Sequence, residues 1–272
     1  MTPVDVLIVN FRTPDLVREA VAAVAGAGTR VLVFDNSGDL PEELPAEVLG
    51  DGTNTLFAEG NNRLFARTSA PLLLLLNPDV ALQHEDLVRL VDHLESDGAA
   101  WGATPQLRNP DGSVQNYCRR LPTLRALLAD RFPPARLLFR RDLDRHYCRD
   151  MDLTASGRVE QPAAACLLVR RSALDGELFD TSYPLFFNDT DLARRLNLAG
   201  HCLYVADVQA VHHAGASIGR TRAANRAWIR RQYDDSLLRF ARRNVRGWQL
   251  LVPVVLLRRA VARHPVPPHG AA

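Results

Sequence analysis

The sequence predicts an α/β fold, a central and mostly parallel sheet flanked by helices, followed by a helical C-terminal tail. Three observations carry this. Leu72 to Leu76 is an unbroken leucine run with neither helical nor alternating period, which fits a strand buried on both faces. Four apolar runs, Val4–Val9, Arg30–Phe34, Leu72–Leu76 and Val208–Val211, each end in a polar tip. Between the early runs lie stretches with helical spacing, so strand and helix alternate as in a parallel sheet.

Val4 to Val9 reads as the first strand, ending at Asn10. Thr13-Pro14-Asp15 combines the N-cap, first-turn proline and early acid of a helix start, with Leu16, Val17, Ala20, Val21 and Val24 facing inward and Gly28 as the stop. Arg30 to Phe34 is the second strand and runs into Asp35-Asn36-Ser37. The right-handed crossover places both strand ends on one rim and makes Asn10 and Asp35 neighbours. After an acidic loop over residues 40–52, Thr55 to Phe57 reads as a third short strand, and Glu59-Gly60-Asn61-Asn62 opens a helix. Pro78 stops the leucine ladder and leaves Asn77 and Asp79 at its carboxyl end, where open parallel sheets bind ligands.

Glu85 to Leu94 is the next amphipathic helix, with Leu87, Leu90, Val91 and Leu94 inward, and Asn109-Pro110-Asp111-Gly112 is a turn. From Arg119 to Arg158 the prolines and clustered charges predict a loop-rich insertion over the sheet. Ala163 to Val169 is a buried strand, and Asn188-Asp189-Thr190-Asp191 precedes a helix carrying Leu192, Arg194, Arg195 and Leu198 up to Gly200. Leu203–Val205 and Val208–Val211 read as two short strands, the second ending in His212-His213, and beyond Ser217 the chain is helical and rich in arginine.

With 272 residues the chain can bury a sizeable core, and a net charge of +2 is too small for wholesale nucleic-acid binding. All 33 basic residues are arginine, which a GC-rich coding sequence explains. Cys118, Cys148, Cys166 and Cys202 are widely spaced, without a zinc-like pattern, and read as reduced thiols of a cytoplasmic protein. Met1-Thr2-Pro3 enters a strand at once, so no export signal is visible, and no apolar run reaches the ~20 residues needed to span a bilayer.

Each polar tip has a plain reading beside a chemical one. Asp79 is either a turn-forming aspartate after proline or a ligand for a hard cation bridging a diphosphate. Asp35 can close an Asx-turn, and His212 can be structural or a ligand. Asp191 is explained by helix capping, whereas Asp189 sits in an aromatic-walled approach suited to accepting a proton from a substrate hydroxyl.

In order the tips read Asn10, Asp35-Asn36-Ser37, Gly60-x-Asn62, Asn77-Pro78-Asp79, Arg119-Arg120-x-Pro122, Leu167-Leu168-Val169-Arg170-Arg171, Phe179-Asp180, Asp189-x-Asp191-Leu192, Ala199-Gly200 and His212-x-x-Gly215-x-Ser217. This series resembles the family 2 glycosyltransferases of the GT-A fold, the rhamnosyltransferase-type members most, over residues 4 to about 220. The resemblance implies a catalytic domain over 1–220, with a nucleotide-sugar half (1–105) and an acceptor half (106–220), and a helical, Arg-rich extension over 221–272. It implies an inverting transfer of a sugar, rhamnose first, from a dTDP- or UDP-sugar to a glycan or polyprenyl-linked acceptor in cell-wall or polysaccharide assembly. Asp189 would be the general base; Asn10, Asp35, Asn62, Asn77, Arg120 and Asp191 would bind substrates; Asp79 and His212 would hold Mg²⁺ or Mn²⁺. Asn77 stands where the fold usually has an acid, Asn188 where the subgroup usually has Glu, and Ala164-Ala165 where a Gly is common.

The tail around Trp248 to Leu257, bracketed by arginines, fits either a membrane surface, which would place the protein peripherally at the inner face of the membrane, or packing against protein. A nucleotidyltransferase would need a Gly-rich basic loop after the first strand, and Asn10-Phe11-Arg12-Thr13 has no glycine. A non-catalytic sugar-nucleotide-binding scaffold protein is the reading from another class, kept open by Asn188.

Overall fold

The computed structural model describes residues 1–213 and 216–261, with 216–226 and 261 as backbone only. The expected Gly215 of the late motif lies outside the described residues. β1 (Val4–Asn10), α1 (Pro14–Val24) and β2 (Thr29–Asp35) form the first crossover unit, and β3 (Glu47–Leu49) pairs with β2 at the edge. Then come α2 (Leu56–Phe65), β4 (Leu72–Leu76), β5 (Val80–Ala81), α3 (His84–Ser96) and β6 (Ala100–Arg108). α4 (Leu124–Arg131), α5 (Ala135–His146), β7 (Gly157–Val159), β8 (Cys166–Arg170), α6 (Asn188–Leu196), β9 (His201–His212), α7 (Ala216–Asn244) and α8 (Leu251–Val261) complete the described chain.

The sheet runs β3-β2-β1-β4-β8-β6-β9-β5, with β7 also on β9. β1 to β4 are mutually parallel and β6 is parallel to β9, while β8 runs antiparallel between β4 and β6. Consequently the carboxyl ends of β1, β2, β4 and β9 share one rim. The leucine strand feeds both faces: Leu72, Leu74 and Leu76 pack with α1 and α3, and Leu73 and Leu75 with α2 and α6. That two-sided burial explains the absence of any period in the run. A third cluster joins α4, the segment Tyr183–Phe187, α7 and α8.

Four expectations are corrected. Residues 55–57 do not form a strand: helix α2 begins at Leu56, and the third strand is β3, inside the expected acidic loop. β6 goes unseen in the sequence because Gly102 and Pro105 interrupt it. A Cβ at Gly102 would lie 2.5 Å from the Leu168 carbonyl oxygen, and Pro105 sits at a register shift where a missing N–H is tolerated. That same shift, from Val205 to Gln209 on the partner strand, splits the single strand β9 into what reads as two. The segment 119–158 carries two helices: Pro122, Pro133 and Pro134 lie at their borders, Thr123 Oγ1 accepts the Ala126 N–H at 3.3 Å, and α5 is kinked at Phe139. The tail packs on protein through buried Leu251 and Val255, while Leu250, Leu256 and Leu257 stay exposed. All four cysteines are buried and free.

Candidate active site

The rim begins with Asn10 and Asp35, paired in register. Asp35 Oδ1 accepts from Asn10 Nδ2 at 2.9 Å and from the N–H groups of Ser37 and Gly38, both at 3.0 Å. Burial alone would raise this carboxyl, but the bonds from Ser37, Asn10, Gly38 and Leu40 hold it below the usual carboxylate range. Among the described residues its Oδ2 meets only the Leu40 N–H, at 3.4 Å, and keeps accepting capacity for a ligand. Asn10 is committed internally: Nδ2 also reaches Asp39 at 2.7 Å, and Oδ1 accepts from Thr13 N–H at 3.1 Å. Gly50, at φ +101°, lets the β3 exit pass the backbone of Asp35, since a Cβ there would lie 2.6 Å from the Asp35 carbonyl oxygen.

At the end of β4, Asn77 is fixed through its backbone, donating to Ala165 O at 2.8 Å and accepting from Val80 N–H at 3.0 Å. The Asp79 carboxylate is buried and faces His212 Nε2 at 3.6 Å. Gln115 orients that imidazole. Its Nε2 donates to Asn109 Oδ1 at 2.6 Å and to the His212 carbonyl at 2.9 Å, which leaves Oε1 to accept from His212 Nδ1 at 2.8 Å. This network makes Nδ1 the donor to Gln115, and in the neutral imidazole the Nε2 lone pair then faces the Asp79 oxygen. Two acceptors facing one another fit a shared cation. Among the described residues no group of three or more His, Cys, Asp or Glu could hold a metal by itself. One carboxylate completed by phosphate oxygens and water is how Mg²⁺ is usually held, and the imidazole nitrogen suits a transition metal better.

The second part of the site is a cleft of about 320 Å³ lined by Arg119, Tyr147, Phe186, Asn188, Asp189 and Tyr233, among others. α6 begins abruptly because Phe187 takes the left-handed conformation, φ +66°, held by ring contacts to Tyr233 and Phe240. The turn delivers Asn188 and Asp189 at the helix head, where the dipole favours an anion. Asp189 Oδ1 accepts from Thr190 N–H at 2.7 Å. Burial among the cleft walls nonetheless pushes its carboxyl up, with Thr190 and Arg119 offsetting part of the effect. Asn188 Oδ1 accepts the Asp189 N–H at 2.7 Å, and its buried Nδ2 has no partner among the described residues, so it is a donor available to a ligand.

One segment touches both parts. Gln115 contacts His212 and Arg119 lines the cleft, and four residues of chain span at most about 14 Å. Asn62 serves as a strut behind the site. Its amide donates to Phe179 O at 2.7 Å and accepts from Phe179 N–H at 2.9 Å, tying α2 to the loop that precedes α6. The remaining expected residues lie elsewhere. Asp191 is not an N-cap: it sits in the first turn of α6, paired with Arg195 at 2.9 Å and absent from the cleft lining. Arg120 pairs with Asp150 at 2.6 Å outside the cleft, and its neighbour Arg119 is the arginine that enters it. Gln115, Tyr147 and Tyr233 were not foreseen, because no local pattern marks them.

No protein-family profile matches this chain. Over 163 residues it is 31% identical to the N-acetylglucosaminyl-diphospho-decaprenol L-rhamnosyltransferase of Mycobacterium tuberculosis, covering 57% of this chain and 51% of that protein. Over 147 residues it is 29% identical to rhamnosyltransferase WbbL of Escherichia coli K12, with 52% of each covered. The chain thus spans about half the length of the curated relatives it matches. In structure it resembles the mannosyltransferase PcManGT from Pyrobaculum calidifontis, in complex with GDP-Man and Mn²⁺, at TM-score 0.54 and 13% identity, over 95% of this chain and 69% of that one. S. aureus TarS 1-349 superposes at TM-score 0.51 and 10% identity, over 88% and 72%. The chain has the GT-A glycosyltransferase fold, and its sequence is rhamnosyltransferase-like. In this GT-A fold the antiparallel β8 brings Ala165 beside Asn77 on the rim, and β9 brings His212 beside Asp79.

Proposed function

We propose that the chain is an inverting glycosyltransferase that moves a sugar, rhamnose first, from a nucleoside-diphosphate sugar to a hydroxyl of a lipid-linked or glycan acceptor in cell-wall or polysaccharide assembly. The observation that carries this reading is Asp189 in a cleft also lined by Arg119, which lies four residues along the chain from Gln115, the partner of His212 beside Asp79. Residues 1–105 serve the donor and 106–220 the acceptor. Asp35 accepts from the nucleoside through its less engaged oxygen, and Asn77 and Asp79 face the diphosphate. The mycobacterial relative is by name a rhamnosyltransferase of N-acetylglucosaminyl-diphospho-decaprenol, which makes a polyprenyl-linked saccharide the first acceptor to try. Such an acceptor places the enzyme at the inner face of the cell membrane.

A divalent cation, Mg²⁺ or Mn²⁺, held by Asp79 and His212 would neutralise the charge that builds on the departing nucleoside diphosphate. Asp189 takes the proton of the acceptor hydroxyl as that oxygen attacks C1 from the face opposite the leaving group, in one displacement without a covalent enzyme intermediate. Its raised proton affinity makes it a better base than an ordinary aspartate. Arg119 and the Asn188 amide orient acceptor oxygens, which reduces the entropy lost on reaching the transition state.

The test is acceptor-dependent release of nucleoside diphosphate from a panel of dTDP- and UDP-sugars, with Mg²⁺ or EDTA, by the wild type and Asp79→Ala. Turnover of one donor, stopped by EDTA and by a folded Asp79→Ala, is the expected result. Donor binding without turnover, whatever the acceptor, would favour the scaffold reading.

A further inference from the structure

We infer that the first turn of α5 is a contact for an anionic membrane surface, seated beside the acceptor cleft. Leu137 is 88% exposed and Leu138 79%, two consecutive leucines on the short helical piece before the kink at Phe139. Nothing among the described residues covers them. Residues 135–149 carry five arginines against two aspartates, and Arg140, Arg141 and Arg145 follow the leucines on the same helix and are exposed, Arg140 facing Asp144 at 3.6 Å. Arg136 is exposed but folds back on α4, donating to the Ala129 carbonyl at 3.0 Å, so it anchors the helix and is not counted in the patch.

Apolar side chains ringed by guanidinium groups suit a bilayer interface with acidic headgroups, which buries the first and pairs the second. A second copy of this chain suits it less, because a two-fold contact through the patch would set arginine against arginine. The position fits as well. α4 and α5 lead into the cleft, which Leu127 and Arg131 of α4 and His146 and Tyr147 at the end of α5 help to line. α8, which also packs on α4, leaves Leu256 and Leu257 exposed. The service of this contact to a lipid-linked acceptor rests on the transferase reading; the contact itself does not.

The experiment is co-sedimentation of the full chain with phosphatidylglycerol-containing vesicles and with pure phosphatidylcholine vesicles. Wild type should pellet with the former, far less with the latter, and less at high salt. Leu137→Glu/Leu138→Glu and, separately, Arg140→Gln/Arg141→Gln should each weaken binding roughly tenfold. Leu198→Glu, an equally exposed leucine beyond the far end of α6 from Asp189, should not. In turnover assays the leucine variant should match wild type on a soluble acceptor analogue and lag on an acceptor embedded in vesicles. Absence of wild-type binding, binding indifferent to lipid charge, or binding unchanged by the leucine variant each overturns the proposal. A dimer abolished by the leucine variant, without vesicle binding, overturns it in favour of a second copy. If no donor is ever turned over, the sedimentation arms still decide the contact while the transferase reading alone fails.

Discussion

Asp189 combines a helix-head position with a cleft that raises its proton affinity, and both effects reach the pH profile. Because the base must be ionised, kcat/KM should fall on the acid side through a pKa above the ordinary aspartate value of about 3.9. The same shift affects stability with the opposite sense: a carboxyl whose folded pKa is raised favours the folded state when protonated, and that contribution is lost as pH rises through the raised value. Asp189→Asn should therefore unfold no lower, and somewhat higher, than wild type at neutral pH while losing about 10² to 10⁴ in kcat. A thermal scan beside the assay checks both. Asp191→Asn should leave both substrate KM values in place and cost about 1–3 kcal/mol in a denaturant titration, because Arg195 loses its charged partner. Gly50→Ala should cost about 1–3 kcal/mol and weaken donor binding, since the new Cβ presses on the end of β2 that carries Asp35. At this scale the sequence showed which carboxylates the fold would set at element ends, Asp35 and Asp79 where strands finish and Asp189 at a helix head. It was opaque for Gln115 and Tyr233, whose roles come from contacts with His212 and Phe187 far along the chain.

Among the elements, β4 was the easiest to read and should be the least tolerant. Leu74 is fully buried between β1 and β8, and Leu74→Ala should lower stability by about 2–5 kcal/mol without changing the pH profile of whatever remains folded. β6 and β9 were harder, because a glycine beneath a neighbouring carbonyl and a proline at a register shift are tertiary accommodations that look locally like strand breakers. α4 and α5 were hidden by composition. Arginines dilute their apolar spacing, and prolines that border the helices resemble interruptions of them. The abrupt start of α6 could not be foreseen either, since Phe187 adopts a conformation that only its packing against α7 sustains.

For the whole molecule, the rim explains why donor and cation should bind together. With only Asp79 and His212 on hand, Mn²⁺ alone should move the melting temperature little, whereas Mn²⁺ with a nucleoside diphosphate should raise it by several degrees, EDTA reversing the gain. A large shift with Mn²⁺ alone would point to a fuller cage than these two residues. The α/β architecture was visible in the sequence because strand ends and helix starts follow local rules. The seating of α7 and α8 against α4 and the Tyr183–Phe187 segment was not, because the apolar residues involved are shared among four distant stretches. The central claim is that Asp189 activates the acceptor hydroxyl, and its most direct test is acceptor-dependent nucleoside-diphosphate release by wild type and Asp189→Asn at matched donor occupancy. Equal donor binding and a variant slower by at least about a hundredfold are expected. A variant that binds donor equally and releases nucleoside diphosphate at the wild-type rate would contradict it.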